Sequence, residues 1–357
     1  MKIHIVQPAI PKYRISFFKE IEKKYDVCFY TTRKDFLGAK TVYKSESMNV
    51  AEGFYSFLEK FFWHRSLPFR SQYNKGDIVI INGNPRIINY MLLFLYLRFK
   101  GIHTIWWGHG WTAGSFGLSA KIRLKLTRIA NTVLFYTEAE RHSTGLRNAF
   151  ALNNGLDSTE IEKAKRSVAI KKTKKTDCFK LVFVGRLTSK ANFLLLLQAL
   201  EKCNQKIFLN VIGTGEEISK YKSYSEELKL DHRIEWHGEV FEESRIAEIM
   251  LDSDAFIYTG SVGLSLIHAF NYGLPVILHS ERKFHMPEIE AFKDGFNGMV
   301  FERGNVNDLT LVIDKMCSLG SLEYKTMSDN AWRTVKGSFN TEDMLCRFDS
   351  MIKEITN

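Results

Sequence analysis

Read for apolar and polar positions, the chain alternates short runs rich in Val, Ile, Phe and Tyr with longer stretches of helical periodicity. The first half has such runs at 2–8, 26–32, 77–83, 103–110 and 132–137. The second half has them at 180–186, 207–213, 234–239, 255–260, 275–280 and 298–301. Strands separated by helical segments predict parallel sheets with helical crossovers, an α/β class. The polar, lysine-rich stretch 153–176 has no strand pattern and reads as a linker. That gives a first domain over 1–152, a second over 177–335, and a helical segment over 336–357 expected to return to the first domain. Ligands of doubly wound sheets lie beyond the carboxyl ends of the strands, so the cleft between two such domains is the expected place for the chemistry.

Two stretches of the first half stand apart. NYMLLFLYLRFKG (89–101) is apolar with basic residues at its end, and KIRLKLTRIA (121–130) alternates basic and apolar residues. Neither reaches the roughly 18 to 20 apolar residues needed to span a bilayer. A buried helix or a membrane-surface helix fits the first, and a solvated or a lipid-facing amphipathic helix fits the second.

Composition narrows the class. The 357 residues, 45% hydrophobic, suffice for two domain cores and speak against extended disorder. Cys28, Cys178, Cys203, Cys317 and Cys346 form no CxxC pair and no metal-ligand spacing, which fits buried thiols in a reducing compartment, with no disulfide framework. The opening MKIHIVQP runs straight into a strand without a long apolar signal core, so a cytoplasmic location is expected. Residues 1–150 carry 23 Lys and Arg against 10 Asp and Glu, a net of +13; the remainder carries 27 against 30, a net of −3. A half so basic suits an anionic partner such as a membrane surface, a phosphorylated lipid or a nucleic acid. Charge alone speaks for nucleic acid, and none is expected as a partner.

Four loops at strand ends carry candidate chemistry. GRLTSKAN places Gly185, Arg186 and Lys190 at the mouth of a helix, where two cations and the positive helix end suit a diphosphate. TGEE follows a strand with Gly213 and Gly215, which permit a tight turn beside a ligand. The run TGSVGLSLIHAFNYGLPVILH (259–279) turns from strand to helix through Gly260, Ser261, Val262, Gly263 and Leu264, whose N–H groups can meet phosphate or sugar oxygens. HMPEIEAFKDGFNG puts Glu288 and Glu290 in a following loop. The Asp-Ser-Asp at 252–254 has the D-x-D form of a metal site but precedes a strand, and His103, His109, His237, His268 and His279 are too dispersed for a metal centre, so no metal is expected.

In order and spacing, GRLTSK, VIGTGEE, WHGEV, SDAFIYTGSVGLSLIHAFNYGLPVI and PEIEAFKDGFNGMVF resemble the donor-binding half of family 4 retaining glycosyltransferases (glycosyltransferase group 1), over roughly 181–301. IWWGHGWTA resembles the family's segment whose histidine, here His109, lies at the donor sugar. QPAIPKYRISFFKEI is similar to the opening of bacterial polysaccharide-assembly members. The resemblance implies a GT-B fold, two Rossmann-like doubly wound domains facing a central cleft, with Arg186 and Lys190 gripping a nucleotide diphosphate and the 260–264 amides meeting the donor. It implies no cofactor, with the nucleotide diphosphate sugar as donor substrate. The leaving phosphate itself would deprotonate the acceptor hydroxyl, on the same face of the sugar.

One departure bears on the donor. The family commonly has two glutamates separated by seven residues across the 259–279 turn, and the matching positions are Gly260 and His268. A neutral His268 can hydrogen-bond a ribose hydroxyl, whereas Gly260 offers no side chain; Glu288 is the nearest candidate for the absent carboxylate. The resulting expectation is a retaining glycosyltransferase, of hexosyltransferase type, with His109, Arg186 and Lys190 as its catalytic residues. It would act on a lipid-linked glycan acceptor in bacterial O-antigen or capsule synthesis, peripherally on the inner face of an anionic membrane. A nucleotide-sugar epimerase or hydrolase of the same fold, or a catalytically silent nucleotide-sugar-binding relative, are the alternatives.

Overall fold

A computed structural model describes residues 1–33, 35–36, 41–69, 72–110, 113–114, 117–169 and 178–357. Trp111 and Thr112 of the IWWGHGWTA segment and part of the 153–176 stretch lie outside the described residues. The chain divides into two compact units: Met1–Trp111, Ser115–Asn153 and Thr341–Asn357 form one, and Thr112–Gly114 with Asn154–Asn340 the other.

In the first unit the strands are β1 (Ile3–Val6), β2 (Val27–Thr32), β3 (Met48–Ala51), β4 (Phe54–Phe57), β5 (Phe61–His64), β6 (Ile78–Asn82), β7 (His103–Trp107), β8 (Thr132–Phe135) and β9 (Ala149–Ala151). Its first four helices are α1 (Ile15–Lys24), α2 (Ile88–Phe99), α3 (Leu118–Leu126) and α4 (Glu138–Thr144). Seven strands make one parallel sheet in the order β3-β2-β1-β6-β7-β8-β9, while β4 and β5 form a separate antiparallel hairpin. Alternation along each strand sends Ile3, Ile5, Ile78, Ile80 and Trp107 to one face and Val6, Val79, Ile81 and Trp106 to the other. Phe17, Phe18 and Ile21 of α1 cover the first face; Tyr90, Leu93, Phe94 and Leu97 of α2 cover the second.

The second unit holds β10 (Phe179–Val184), β11 (Ile207–Ile212), β12 (Ile234–Gly238), β13 (Ala255–Tyr258), β14 (Val276–His279) and β15 (Gly298–Phe301) in one parallel sheet, ordered β12-β11-β10-β13-β14-β15. Around it lie α5 (Ser158–Ala169), α6 (Phe193–Lys202), α7 (Ile218–Glu227), α8 (Glu243–Leu251), α9 (Leu264–Asn271), α10 (Val306–Cys317) and α11 (Ser321–Gly337). The last helix, α12 (Thr341–Thr356), belongs to the first unit, where Met344, Phe348, Met351 and Ile352 join α1 on the sheet.

The stretch read as a linker is different in kind. From Ser158 it forms α5, whose Ile161 and Ala164 are buried in the second unit's core. A helix of period 3.6 needs only one apolar position per turn to anchor it, and among so many lysines that weak stripe reads as a polar tract. In each sheet the strand order reverses once, between β1 and β6 and between β10 and β13. Those two switch points, at the carboxyl ends of the strands, are where doubly wound sheets bind ligands.

Candidate functional site

Beyond the carboxyl ends of β10, β11 and β13 the backbones touch. Gly213 has φ +137, and a Cβ there would fall 1.9 Å from the carbonyl oxygen of Gly185. A Cβ on Gly215 would fall 2.3 Å from Leu187 O, and one on Gly185 2.8 Å from the ring of Tyr258. This close packing leaves the Arg186–Lys190 loop held by its backbone: Leu187 N–H donates to Thr214 O at 2.9 Å, and the Tyr221 hydroxyl to Thr188 O at 3.0 Å. The side chains of Arg186 and Lys190 are exposed, and among the described residues neither makes a hydrogen bond or ion pair. Burial pushes the Tyr258 phenol up to about 12, against the opposing pull of the Arg186 charge. Two unneutralised cations beside one switch point are the electrostatics of a diphosphate site.

The 259–264 turn is stitched to the same loop. Thr259 Oγ1 donates to the carbonyls of Ala191 (3.1 Å) and Asn192 (3.0 Å), and Ser261 N–H to Lys190 O (3.1 Å). At Gly260 a Cβ would lie 1.9 Å from Lys190 O, so this backbone excludes any side chain there, a glutamate included. Two of the expected ligand amides are committed elsewhere: Ser261 N–H as above, and Val262 N–H, which donates to His285 Nδ1 at 3.3 Å. Because His285 Nδ1 accepts, its Nε2 carries the proton and donates to His279 O at 3.0 Å. His279 stacks on it at 3.7 Å. Burial holds His285 down at about 4 and His279 at about 3, so both rings are neutral near pH 7. What the turn offers a ligand is therefore the start of α9, where Gly263 is the N-cap and Leu264 the first helical residue; Leu266 N–H donates to Gly263 O at 3.0 Å, while the N–H groups of Leu264 and Ser265 have no acceptor among the described residues.

Glu288 lies in a short 3-10 turn, Pro287–Ala291, and is buried rather than set in an open loop. Its Oε1 accepts from Asn154 Nδ2 at 2.5 Å. Its Oε2 and Asn154 Oδ1 are both buried and without a hydrogen-bond partner among the described residues. Oε2 faces the Gly263 backbone, 3.8 Å from where a Cβ would stand. Two adjacent orphan acceptors at a helix start ask for hydroxyl or N–H donors.

His268 is placed differently from expectation. Its Nε2 donates to Glu243 Oε1 at 2.7 Å, and the same oxygen accepts from the Tyr272 hydroxyl at 2.6 Å. The ring is thus tied to the first turn of α8, leaving Nδ1 for any ligand, and a carboxylate stands next to position 268 after all. The Asp252–Asp254 pair is structural: Asp252 pairs with Lys180 Nζ at 2.6 Å and Asp254 accepts from Lys180 N–H at 2.8 Å, at the strands' amino ends.

In the first unit, His109 follows β7 and stacks on Tyr136, ring centroids 4.2 Å apart. Its buried Nδ1 is 3.8 Å from Glu140 Oε1 and makes no hydrogen bond among the described residues. Glu140, fully buried, accepts from the N–H groups of Gly110 (2.7 Å), Tyr136 (3.0 Å) and Thr137 (3.1 Å) and so fixes the turn that carries His109. Arg14, buried just before α1, rests its guanidinium over Trp107 (5.1 Å) and Tyr136 (5.3 Å) with Nη1 unpartnered. Arg14, Glu140, Asn154, Glu243 and His285 were not singled out in the sequence. Glu140 alone had a local signal, the T-x-x-E capping box with Thr137.

Residues 164–333 match the family model described as glycosyl transferases group 1. The lipopolysaccharide 1,6-galactosyltransferase of Salmonella typhimurium is 25% identical over 150 residues, covering 40% of this chain and 41% of that protein. The match thus spans about two-fifths of that relative's length. Among solved structures, Anabaena HepE in complex with UDP and glucose superposes with a TM-score of 0.68 at 15% identity, over 99% of this chain and 100% of that one. The apo lipopolysaccharide outer core galactosyltransferase WaaB does so with 0.68 at 17% identity, over 99% of both. The chain therefore has a GT-B fold of two Rossmann-like domains, the second of which contains most of the segment similar to glycosyl transferases group 1.

Proposed function

We propose that the protein is a retaining glycosyltransferase. It transfers a sugar from a nucleoside diphosphate sugar to a lipid-linked glycan in bacterial surface polysaccharide synthesis of O-antigen or capsule type, at an anionic membrane surface. The observation that carries this reading is the pairing of two unneutralised cations, Arg186 and Lys190, with two buried orphan acceptors, Glu288 Oε2 and Asn154 Oδ1, in one unit. Cations suit the diphosphate, and acceptors suit the hydroxyl protons of the sugar. The family match and the UDP and glucose bound in HepE support a nucleotide sugar as donor.

In the reaction the bond between the anomeric carbon and the phosphate oxygen breaks, and a bond from the acceptor oxygen to that carbon forms on the same face. The acceptor's proton goes to the leaving phosphate. Arg186, Lys190 and the start of α9 stabilise the charge that grows on the diphosphate, a role for fixed charges and dipoles that needs no metal. Glu288, held by Asn154, takes the place of the glutamate that Gly260 excludes, and His109 hydrogen-bonds the transferred sugar. Glu243, reached through His268, brings the second carboxylate to the ribose side.

Thermal-shift and calorimetric titration with a panel of nucleotide sugars and bare nucleoside diphosphates tests this. One nucleotide is expected to stabilise the protein, since a ligand that binds only the folded state does so by mass action. Absence of stabilisation by every nucleotide would remove the reading.

A further inference from the structure

The first unit carries a strip of features that neither its sheet nor its candidate site uses. Helix α2 buries Tyr90, Leu93, Phe94 and Leu97, yet its opposite side is also apolar. Ile88, Leu92, Leu95 and Phe99, spaced i, i+4, i+7 and i+11 on one face, are all exposed, Phe99 by 88%. At the amino end of that helix stands the β4–β5 hairpin. Phe62 N–H donates to Arg86 O at 2.7 Å, Arg86 Nε to Lys60 O at 2.7 Å, and Asn89 Nδ2 to His64 O at 2.8 Å. The hairpin's tip displays Leu58, 86% exposed, flanked by the exposed Phe57 and Phe61. Leu58 and Glu59 have φ of 49 and 54, a left-handed turn that Asn and Gly adopt readily and a leucine only under strain. Strain held at an exposed apolar tip points to a use for the tip.

At the other end of α2, beside Phe99, lies a cavity of about 460 Å³ lined by Arg98, Arg128, Arg147, Thr127, Asn131 and Asn148, with no acid in its wall. Arg98 is fixed there by Nη1 donating to Arg128 O (2.9 Å) and Ile129 O (3.2 Å). Arg128 and Arg147 have no ion pair among the described residues. The surrounding sequence is one-signed: 78–137 contains seven Lys and Arg and no Asp or Glu.

We propose that this strip docks on an anionic bilayer. The leucine tip and the α2 stripe enter the interfacial zone, and the three-arginine cavity takes the phosphate of a lipid headgroup. An apolar stripe about 18 Å long with basic residues at its end is the pattern of an interfacial helix, in which apolar burial and attraction to anionic lipid act together. The hairpin end lies at the carboxyl edge of the sheet, the edge that carries His109, so docking brings a lipid-linked acceptor to the side of the unit that uses it. The inference rests on the membrane-bound acceptor of the proposed function and adds the face and the headgroup site.

The test is flotation of the full chain with phosphatidylglycerol/phosphatidylethanolamine vesicles and with phosphatidylcholine vesicles, alongside transfer to a short water-soluble acceptor. The wild type is expected to float with the anionic vesicles only. Leu92→Glu/Leu95→Glu should lose at least tenfold in partitioning. Arg128→Gln/Arg147→Gln should lose about thirtyfold, two charges at about 1 kcal/mol each. Both should keep their circular dichroism and their transfer to the soluble acceptor. Variants that float like the wild type overturn this face and leave membrane association standing. A wild type that never floats overturns both, while its transfer activity decides the enzymatic reading separately. Stable wild-type dimers that Leu92→Glu/Leu95→Glu converts to monomers would assign the strip to a second copy and overturn the proposal. Inorganic phosphate bound at the arginines without vesicle binding would do the same.

Discussion

A carboxylate oxygen buried beside an equally unpartnered amide oxygen is unfavourable unless a ligand completes it, and Glu288 with Asn154 stands in that state. Glu288→Gln replaces one acceptor by a donor while keeping shape. It is therefore expected to lower kcat/KM for the sugar donor by about 10- to 100-fold, the range for a lost hydrogen bond to a charged group. Affinity for the bare nucleoside diphosphate, measured by calorimetry, should stay unchanged, because the pair is assigned to the sugar. An equal loss for the bare nucleotide would move Glu288 to a structural role. On the proposed function, Arg186→Ala and Lys190→Ala would act on the other end of the donor. Each is expected to reduce turnover by at least about a hundredfold in a folded protein, as when one donor to a developing anion is removed. Near-normal turnover in single-turnover kinetics would refute that assignment. That Arg186 and Lys190 share one exposed loop was legible in the sequence, because both stand between one strand and the next helix. Asn154 was not: it lies 134 residues from Glu288, and only the packing of the second unit brings the two together.

At the scale of elements, the turn into α9 is held by a histidine rather than by a ligand. His285 accepts the Val262 N–H only while neutral, and its neighbour His279 is buried with it. The folded values, about 4 and about 3, lie below the unfolded value near 6.5, as does that of His64 in the first unit, also about 4. For such groups the unfolded chain binds more protons below about pH 6.5, so stability is fully present above that pH and falls as the pH drops toward 4. At pH 5 the loss is on the order of 2 kcal/mol per ring. Thermal unfolding followed between about pH 7.5 and 5 should show Tm falling steadily; a constant Tm would contradict the buried neutral rings. The elements themselves were largely readable, since every apolar run taken as a strand became one. Those missed were β3, the β4–β5 hairpin and β9. They are three or four residues long, and β3 to β5 are half exposed, so they carry too few apolar positions for a pattern. Helix α5 was missed for the related reason that its lysines hide a narrow stripe.

For the whole molecule, the asymmetry between a first half at +13 and a second at −3 divides the labour. On the proposed function, the basic half would meet a surface and an acceptor, and the other would hold the donor. The two-domain GT-B architecture followed from the order of five motifs, and the absence of both family glutamates was visible as well. What the fold sets at those two positions was not, because the Gly260 backbone contact with Lys190 and the Glu243–His268 pair exist only in the folded unit. Transfer itself is the decisive experiment: the protein, a labelled nucleotide sugar that stabilises it, and a glycan acceptor, with the anomeric configuration of the product read by NMR. The expected product is a glycoside that keeps the donor's anomeric configuration, formed without added metal and dependent on Arg186, Lys190 and Glu288. A product of inverted configuration, or free epimerised or hydrolysed sugar with no glycoside formed when acceptor is present, would contradict the proposed function.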